Sequence, residues 1–99
     1  MADYILTNKA IEDLSTIWDY SFEVWSESQA DKYYQELISH CQKIAKNPEI
    51  GKNYDGISNQ LFGMKVNQHV IFYRVQNESF VEITRILHER MDLKKRIAE

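Results

Sequence analysis

The spacing of the hydrophobic residues changes twice along the chain and divides it into three parts. A short apolar run at residues 3–6 precedes a region in which apolar residues recur every three or four positions, the period of one helix face. From residue 61 onwards the apolar residues gather in runs rich in β-branched and aromatic side chains, which are typical of strands. The pattern predicts one strand, two helices and then three strands.

The first helix is predicted from Asn8 to Trp25, with Thr7 as its N-cap because a threonine hydroxyl can accept a hydrogen bond from an N–H group of the first turn. The apolar stripe that we expect to face the core consists of Ile11, Leu14, Trp18, Phe22 and Trp25. Core packing is therefore the expected role of both tryptophans. Tyr20 lies beside the stripe, and an aromatic residue of this helix that misses the core is a candidate contact for a partner.

The second helix is predicted to begin after Ser26 and to end at Asn47. Ser26 and Gln29 match a capping box at its start. Pro48 marks its end, since proline disfavours the α conformation of the residue before it. Because at most three residues connect the two helices, they should form an antiparallel αα-hairpin. Loops are expected from residue 49 to residue 59.

The last third of the chain is predicted to be a sheet built from hairpins. Strands are expected at 61–66, 69–75 and 79–88, and a short basic helix or tail at 91–98. The order β-α-α-β-β-β predicts an α+β fold, with an N-terminal edge strand and the helices packed on one face of an antiparallel sheet. We expect residues 1–99 to form a single domain.

Both faces of this sheet are predicted to be apolar. In the strand 69–75, Ile71 and Tyr73 alternate with Val70 and Phe72. The helical hairpin can cover only one of the two faces. Either the C-terminal segment folds back over the second face, or a partner chain covers it. We favour the partner, because a large exposed apolar patch usually marks an interaction site.

Charge and composition narrow the functional classes. The net charge of −3 divides into −5 for residues 1–60, with five Lys against ten acidic residues, and +2 for residues 61–99, with seven Lys and Arg against five. An acidic chain argues against binding nucleic acid through its backbone. A single Cys excludes an internal disulfide, no apolar run approaches the roughly 20 residues that cross a bilayer, and the N-terminus lacks the features of a signal peptide. We expect a cytoplasmic protein without membrane contact.

Six groups of residues carry a family resemblance. They are Leu6-Thr7-Asn8-Lys9-Ala10 with Asp13-Leu14, Ile17-Trp18-Asp19-Tyr20, Trp25 with Gln29-Ala30 and Tyr33, Asn47-Pro48-Glu49-Ile50-Gly51-Lys52, His69-Val70-Ile71-Phe72-Tyr73-Arg74, and Arg85-Ile86-Leu87-His88-Glu89-Arg90-Met91-Asp92. Together they cover nearly the whole chain, and the last two are the most specific. In these groups the chain resembles the ParE toxins of bacterial type II toxin–antitoxin systems, within the wider RelE/ParE superfamily.

The resemblance implies a small cytoplasmic toxin held inactive by a cognate ParD-like antitoxin encoded beside it. The disordered C-terminal region of such an antitoxin folds as it wraps the helical hairpin and the sheet of the toxin. The complex contacts operator DNA only through the antitoxin. Several ParE toxins poison DNA gyrase, whereas RelE relatives cleave mRNA on the ribosome. The predicted α+β order agrees with a RelE/ParE-like fold.

The charged residues discriminate between these two activities. Metal-free RNA cleavage needs a group that activates the 2′-hydroxyl, a proton donor and cations around the phosphate. RelE-type nucleases cluster cations on the central strands and commonly carry a tyrosine near the C-terminus, but no tyrosine follows Tyr73 here. We therefore expect a non-enzymatic gyrase poison. The alternative is a ribosome-dependent mRNA interferase with four catalytic candidates, among which His88 would be the acid and Arg90 the phosphate clamp: His88, Arg90, Arg74 and Arg85.

Two sets of residues are expected to contact other proteins. The target-binding surface should comprise Arg74, Arg85, His88, Arg90, Lys94, Lys95 and Arg96. The antitoxin contacts should include Trp18, Tyr20, Phe72 and Tyr73. Structural roles are open for several of them: Arg74 and Arg85 could pair with Glu82 or extend over the sheet, and the basic segment could be a solvated helix end.

Neither a cofactor nor a metal is expected. His40 and His69 have no second ligand at metal-binding spacing, and Cys41 falls on the buried stripe of the second helix, where it should be inert. Two further classes stay open: a non-toxic member that only binds antitoxin, and a purely regulatory binding module. The sequence also leaves room for a homodimer through the sheet or the helices.

Overall fold

Helices α1 and α2 pack on one face of a five-stranded mixed sheet in the computed structural model, which describes residues 3–77 and 80–98. The elements are β1 (Asp3–Leu6), α1 (Asn8–Val24), α2 (Glu27–Lys46), a 3-10 helix (Pro48–Ile50), β2 (Lys52–Asn53), β3 (Phe62–Val66), β4 (His69–Val75), β5 (Phe80–His88) and α3 (Leu93–Ala98). The strands lie in the order β1-β5-β4-β3-β2. The α+β class and the N-terminal edge strand are confirmed.

The predicted helix ends are confirmed by their capping bonds. The hydroxyl of Thr7 accepts from the N–H of Ala10 at 3.1 Å, and that of Ser26 accepts from the N–H of Gln29 at 3.1 Å. Helix α2 ends immediately before Asn47, and the residue after Asn47 is a proline. Local chemistry therefore fixes where both helices begin and where α2 ends.

The predicted inward face of α1 is confirmed for Leu14 and wrong for Ile11, Phe22 and Trp25. The buried residues are Ala10, Leu14 and Ser21, whereas Phe22 is 47% exposed and Trp25 is 63% exposed. Two of these three buried side chains, Ala10 and Ser21, are small and lay outside the predicted stripe. The helix is also rotated so that Asp13, about 100° from Leu14 around the axis, reaches an arginine of β5. This rotation turns most of the large apolar residues outward.

The sheet was predicted to be antiparallel, but one of its strand pairs is parallel. Strand β1 pairs in parallel with β5, from Asp3 opposite Phe80 to Leu6 opposite Ile83. The whole helical hairpin separates β1 from the other strands, and such a long connection permits a parallel pair. The predicted loop at 49–59 also contains the end of the 3-10 helix and the short strand β2, which pairs with β3.

The second face of the sheet is covered by the chain itself, which corrects the preference for a partner. Four buried residues form this second core: Leu61, Val70, Phe72 and Leu87. Side chains from the loop after β2 and from α3 pack on them: Tyr54, Ile57, Leu93 and Ile97. The C-terminal segment folds back over this face, as the structural alternative proposed.

A bulge in the β4–β5 hairpin sets the register of the strand ends. Tyr73 lies opposite Ile83 and Phe72 opposite Arg85, so Thr84 is an extra residue on β5. Beyond the bulge the pairing continues to His69 opposite His88 at the other end of the hairpin. The predicted strand start at residue 79, and residues 78–79 of the predicted turn, lie outside the described residues.

Candidate functional site

A groove of about 950 Å³ lies between the helical hairpin and the ends of strands β4 and β5. Its helical wall is formed by Thr16, Ile17, Tyr20, Ser21, Trp25, Gln29, Lys32, Tyr33 and Glu36. Its other wall comprises the β3–β4 turn, the two strand ends and the residues after β5, namely Asn67, Gln68, His69, His88, Arg90 and Met91. Ile17 and Tyr33 of the helical wall pack against the core.

Two histidines face each other across the adjacent strand ends in this groove. The rings of His69 and His88 have centroids 5.3 Å apart and are nearly perpendicular, at 80°. The Nδ1 atom of His69 lies 2.7 Å from the hydroxyl of Tyr33, which also donates to the carbonyl of Val66 at 3.2 Å. Burial and, to a smaller extent, the neighbouring His88 together lower the pKa of His69 to about 4. His69 is therefore neutral at neutral pH.

The ring of His88 is held at both nitrogens. The N–H of Arg90 donates to Nδ1 at 3.1 Å, and Nε2 lies 3.2 Å from Oε1 of Gln68. A neutral ring with its hydrogen on Nε2 satisfies both bonds. The same turn is closed by the N–H of Glu89, which donates to the carbonyl of Gln68 at 2.8 Å. The backbone around Arg90 is thus fixed by the histidine that precedes it.

The groove combines apolar walls with a few charged groups. Lys32 and Arg90 contribute positive charge, and the carboxylate of Glu36 accepts from the side-chain amide of Asn67 at 3.3 Å. Tyr20, which is 63% exposed, offers an aromatic ring at the rim. Apolar surface with a small number of placed polar groups suits a polypeptide segment better than a polyanion.

The structure brings together three of the sequence-predicted site residues: Tyr20, His88 and Arg90. Trp18, only two positions from Tyr20, lies about 200° away around α1 and outside this groove. Arg74 lies five residues along β4 from His69, roughly 16 Å away. Its guanidinium donates to the hydroxyl of Ser58 at 2.6 Å and to a loop carbonyl at 3.4 Å. Arg74 is therefore not part of the groove.

Arg85 joins elements of the interior and does not lie on a contact surface. It donates two hydrogen bonds to Asp13, at 2.8 and 3.0 Å, and one to the carbonyl of Arg96 at 2.7 Å. Its side chain is 12% exposed. The suggested partner Glu82 is instead the cross-strand neighbour of Arg74. Lys94, Lys95 and Arg96 lie on the exposed side of α3, whose apolar residues face the second core.

Phe72 and Tyr73, both predicted to contact an antitoxin, are fully buried. Phe72 packs in the second core with the ring of Tyr54 edge-on at 5.2 Å. The hydroxyl of Tyr73 donates to the carbonyl of Pro48 at 2.6 Å and accepts from the N–H of Gly51 at 3.0 Å. The fold removes both side chains from any contact surface, because each face of the sheet is already covered.

The comparisons with known proteins agree over almost the full length. A family model described as "ParE toxin of type II toxin-antitoxin system, parDE" matches residues 4–93. The chain belongs to the ParE toxin family. This ParE-family chain is 34% identical over 94 residues to Toxin ParE1 of Mycobacterium tuberculosis (strain ATCC 25618 / H37Rv), covering 95% of the chain and 96% of that relative. It is 36% identical over 92 residues to Toxin ParE1 of Caulobacter vibrioides, covering 93% and 94%.

A solved structure shares the fold. The structure titled "Chromosomal ParDE TA system from P. aeruginosa" superposes with a TM-score of 0.77 and covers 89% of the ParE-family chain and 96% of its own chain. The sequences are 19% identical in that comparison, so the likeness concerns the fold alone. The family resemblance identified from the sequence motifs is confirmed by these findings.

Sequence reasoning missed several groove residues of this ParE-family chain. Tyr33 and His69 were named among the residues that carry the family resemblance, and His69 was weighed as a metal ligand, but neither was predicted as a contact residue. Counting the strand pairs outward from a simple turn places His69 opposite Leu87; only the bulge brings it opposite His88. The available signal for Tyr33 was that it is a tyrosine on the apolar stripe of α2, at the position nearest to a strand end.

Residues 3–77 and 80–98 of the ParE-family chain contain neither a group of three metal-ligating side chains nor a helix that could span a membrane. No three His, Cys, Asp or Glu side chains among them are grouped as metal ligands. None of their helices is long and apolar enough to cross a membrane. Cys41 is buried, and burial raises the pKa of its thiol to about 12.

Proposed function

We propose that this ParE-family chain is a non-enzymatic toxin that arrests growth in the cytoplasm by binding and poisoning DNA gyrase. A ParD-like antitoxin neutralises it. The observation that carries the proposal is the shared groove, in which the candidate antitoxin contact Tyr20 and the candidate target contacts His88 and Arg90 line one surface. An antitoxin segment seated in this groove excludes the target by occupying the same residues.

Binding fits the chemistry of the groove better than catalysis does. Both nitrogens of His88 are already hydrogen-bonded, and His69, with its pKa of about 4, is a weak base. Arg74 and Arg85 make structural contacts elsewhere, so the four candidate nuclease residues are not assembled. Among the residues that line the groove, the cations that could surround a phosphate are Lys32 and Arg90. We infer a site that recognises protein surface.

The basic residues of α3 extend this proposed surface. Lys94 and Lys95 are exposed on a helix whose Arg96 carbonyl is tied to Arg85, and Arg85 is tied to Asp13 of α1. Helix α3, which packs on the second face of the sheet, is thereby tied to α1 on the first face. We include Lys94, Lys95 and Arg96 as bordering contacts for the acidic surface of a target. Operator DNA is reached only through the antitoxin.

Two purified assays run side by side test the target. Gyrase is incubated with supercoiled plasmid and the protein, and linear DNA is measured after detergent and protease treatment. Programmed ribosomes are incubated with the same preparation, and mRNA cleavage is measured by primer extension. We expect stabilised gyrase–DNA cleavage complexes and intact mRNA. Cleaved mRNA with unaffected gyrase would replace the proposal by its alternative.

One observation favours that alternative, the ribosome-dependent mRNA interferase. His88 and Arg90 lie in the same groove as Tyr33 and His69, which gives a set of potential proton donors and acceptors around one cation. The variants His88→Gln and Tyr33→Phe distinguish the two activities. Both should abolish mRNA cleavage if the groove is a nuclease site, whereas Tyr33→Phe should leave gyrase poisoning intact, because the Tyr33 hydroxyl is already engaged by the carbonyl of Val66 and by Nδ1 of His69.

A further inference from the structure

The hydrogen bonds of the His69 ring leave one of its two nitrogens unused. Nδ1 lies 2.7 Å from the hydroxyl oxygen of Tyr33, and that hydroxyl donates its single hydrogen to the carbonyl of Val66 at 3.2 Å. Both contacts are satisfied together when Nδ1 carries the ring hydrogen and donates it to the Tyr33 oxygen. Burial and, to a smaller extent, His88 lower the pKa of His69 to about 4, so the ring is neutral at neutral pH. Its Nε2 atom therefore carries a lone pair and no hydrogen.

This Nε2 atom is open to the groove. It makes no hydrogen bond with any of residues 3–77 and 80–98. Among those residues, however, no buried side-chain nitrogen or oxygen lacks a hydrogen-bond partner. Nε2 is therefore in contact with solvent, and the solvent-filled space that His69 lines is the groove. Because Tyr33 holds the ring through its other nitrogen, the acceptor is in place before a ligand binds.

The neighbouring His88 does not turn this atom into a metal site. Nδ1 of His88 accepts from the N–H of Arg90 at 3.1 Å, and its Nε2 lies 3.2 Å from Oε1 of Gln68. A metal ion on Nε2 of His88 would place the ring hydrogen on Nδ1, against the N–H of Arg90. The two histidines therefore do not ligate together, and Nε2 of His69 is left to accept a hydrogen bond from a ligand.

The rest of the groove determines what kind of donor fits. The charged side chains that line it are Lys32, Glu36 and Arg90, and the two cations outnumber the one carboxylate, which disfavours a cationic donor. A carboxylate has no hydrogen to donate at neutral pH. Ile17 and Trp25 add apolar surface to the same walls. The matching ligand is an apolar group that carries one uncharged N–H or O–H donor, as indole and phenol do.

We propose that His69 is the specificity-determining hydrogen-bond acceptor of the groove and that Tyr33 is its positioning residue. The antitoxin segment supplies the donor from an aromatic side chain, a tryptophan or a tyrosine. This assignment rests on the proposed function at one point, that the antitoxin occupies the groove. A group of the same shape without the hydrogen leaves Nε2 buried and unpaired, which should weaken binding about three- to tenfold.

The position of the ring hydrogen can be measured directly by NMR. In isotope-labelled protein, long-range correlations between the ring protons and both ring nitrogens distinguish a nitrogen that carries hydrogen from a bare one. We expect the hydrogen on Nδ1 of His69 and on Nε2 of His88, so each ring is a reference for the other. Tyr33→Phe removes the oxygen that accepts from Nδ1 and should move the hydrogen of His69 towards Nε2. A hydrogen on Nε2 of His69 in the unmodified protein overturns the proposal.

Two matched small molecules probe the acceptor without the antitoxin. Indole has an N–H donor, and benzofuran has the same two-ring shape with an oxygen in that place. Titrations followed through the chemical shifts of groove residues should give saturable binding of both, with indole about three- to tenfold tighter. Equal affinities, or no saturable binding of either molecule, overturn the proposal.

Variants assign the preference to His69. His69→Phe keeps an aromatic ring without an acceptor, and Tyr33→Phe keeps the imidazole but frees its hydrogen, so in both variants indole should lose its advantage over benzofuran. A merely structural role of Tyr33 would weaken the two probes equally. His40→Gln, on α2 and outside the groove, should retain the preference. A preference for indole that survives His69→Phe overturns the proposal, and Tyr33→Phe carries the same test if His69→Phe does not fold.

The purified antitoxin identifies the source of the donor. It should displace indole from the unmodified protein, and indole that stays bound beside the antitoxin overturns the antitoxin as the source. Gyrase–DNA cleavage complexes are measured on the same preparations. Because that readout does not involve the probes, failure of the acceptor and failure of the proposed toxin activity are distinguished.

Discussion

The guanidinium of Arg85 grips the carboxylate of Asp13 with two hydrogen bonds, from Nε at 2.8 Å and from Nη2 at 3.0 Å. Asp13 also accepts from the backbone N–H of Ile86 at 2.9 Å. Strand β1 pairs with β5 only as far as Ile83, so beyond that point the edge of β5 is open. One side chain of α1 therefore satisfies both an arginine and a backbone group at this edge.

Replacing Asp13 by Ala should destabilise the fold strongly. Both side chains of the pair are largely buried, at 12% and 14% exposure, and removing the acid takes the carboxylate counter-ion away from a buried guanidinium. We expect the free energy of unfolding to fall by about 3–5 kcal/mol. Urea denaturation measures it, with the exposed neighbour Glu12→Ala as control, expected within about 0.5 kcal/mol of the unmodified protein. A loss below about 1 kcal/mol for Asp13→Ala would show that solvent screens the pair.

The predicted roles of β4 residues can be tested by two substitutions in the core. Tyr73→Phe removes the hydroxyl that links Pro48 to Gly51 and should cost about 1–3 kcal/mol, because two backbone groups lose their partner. Phe72→Ala leaves a cavity in the second core and should cost about 3–5 kcal/mol. Unfolding free energies measure both. Affinity for the antitoxin, measured on folded protein, should not change for Tyr73→Phe; a large loss of affinity at unchanged stability would restore the residue as a contact.

The parts of the fold that were predicted from the sequence are those fixed by local chemistry. Thr7 and Ser26 cap helices through their own hydroxyls, and the proline after Asn47 ends α2 whatever the rest of the chain does. The strands of the β4–β5 hairpin are marked by their β-branched and aromatic residues. Such signals act within a few residues, so they can be read without knowledge of the tertiary structure.

The parts that were missed depend on long-range contacts. The rotation of α1 follows from the bond between Asp13 and Arg85, which are 72 residues apart. A stripe count favours large residues, so Ser21 and Ala10 were overlooked as the buried face. The pairing of His69 with His88 depends on one bulge residue, Thr84. Of the candidate site, His88 and Arg90 were found because they belong to a recognisable motif.

Acidification should destabilise this protein through His69. Its pKa is lowered from the ordinary value of 6.5 to about 4 by burial and by His88. The Tyr33 hydroxyl contacts the ring directly, and Glu36 lines the same groove. Between pH 6.5 and about 4 the unfolded chain binds this proton and the folded chain does not, so the free energy of unfolding falls as the pH is lowered.

Urea titrations at a series of pH values measure this dependence. The variant His69→Gln should show a flatter slope between pH 6.5 and 4 than the unmodified protein. His40→Gln serves as the matched control, since His40 lies on α2 and bonds a carbonyl of its own helix. Identical slopes for the unmodified protein and His69→Gln would mean that the folded ring takes up its proton as readily as the unfolded one.

Tyr20 should contribute to neutralisation and not to stability. Its ring is 63% exposed on the groove wall, so Tyr20→Ala should change the unfolding free energy by less than about 0.5 kcal/mol. Loss of an aromatic anchor at an interface typically costs about 2 kcal/mol or more, and calorimetry with the purified antitoxin should register that loss. Ile50→Ala, an exposed apolar residue outside the groove, is the control. Equal affinities for the two variants would place the antitoxin elsewhere.

The account rests on the groove being the surface that engages gyrase, and one measurement addresses this directly. Gyrase–DNA cleavage complexes are quantified with the unmodified protein, with His88→Ala combined with Arg90→Ala, and with Arg74→Ala, after unfolding curves have verified that all three are folded. The account predicts that the double variant loses at least about 90% of the cleavage complexes, as expected for removing about 1.4 kcal/mol or more of binding, while Arg74→Ala retains them. Full activity of the double variant, or its loss only in Arg74→Ala, would contradict the account.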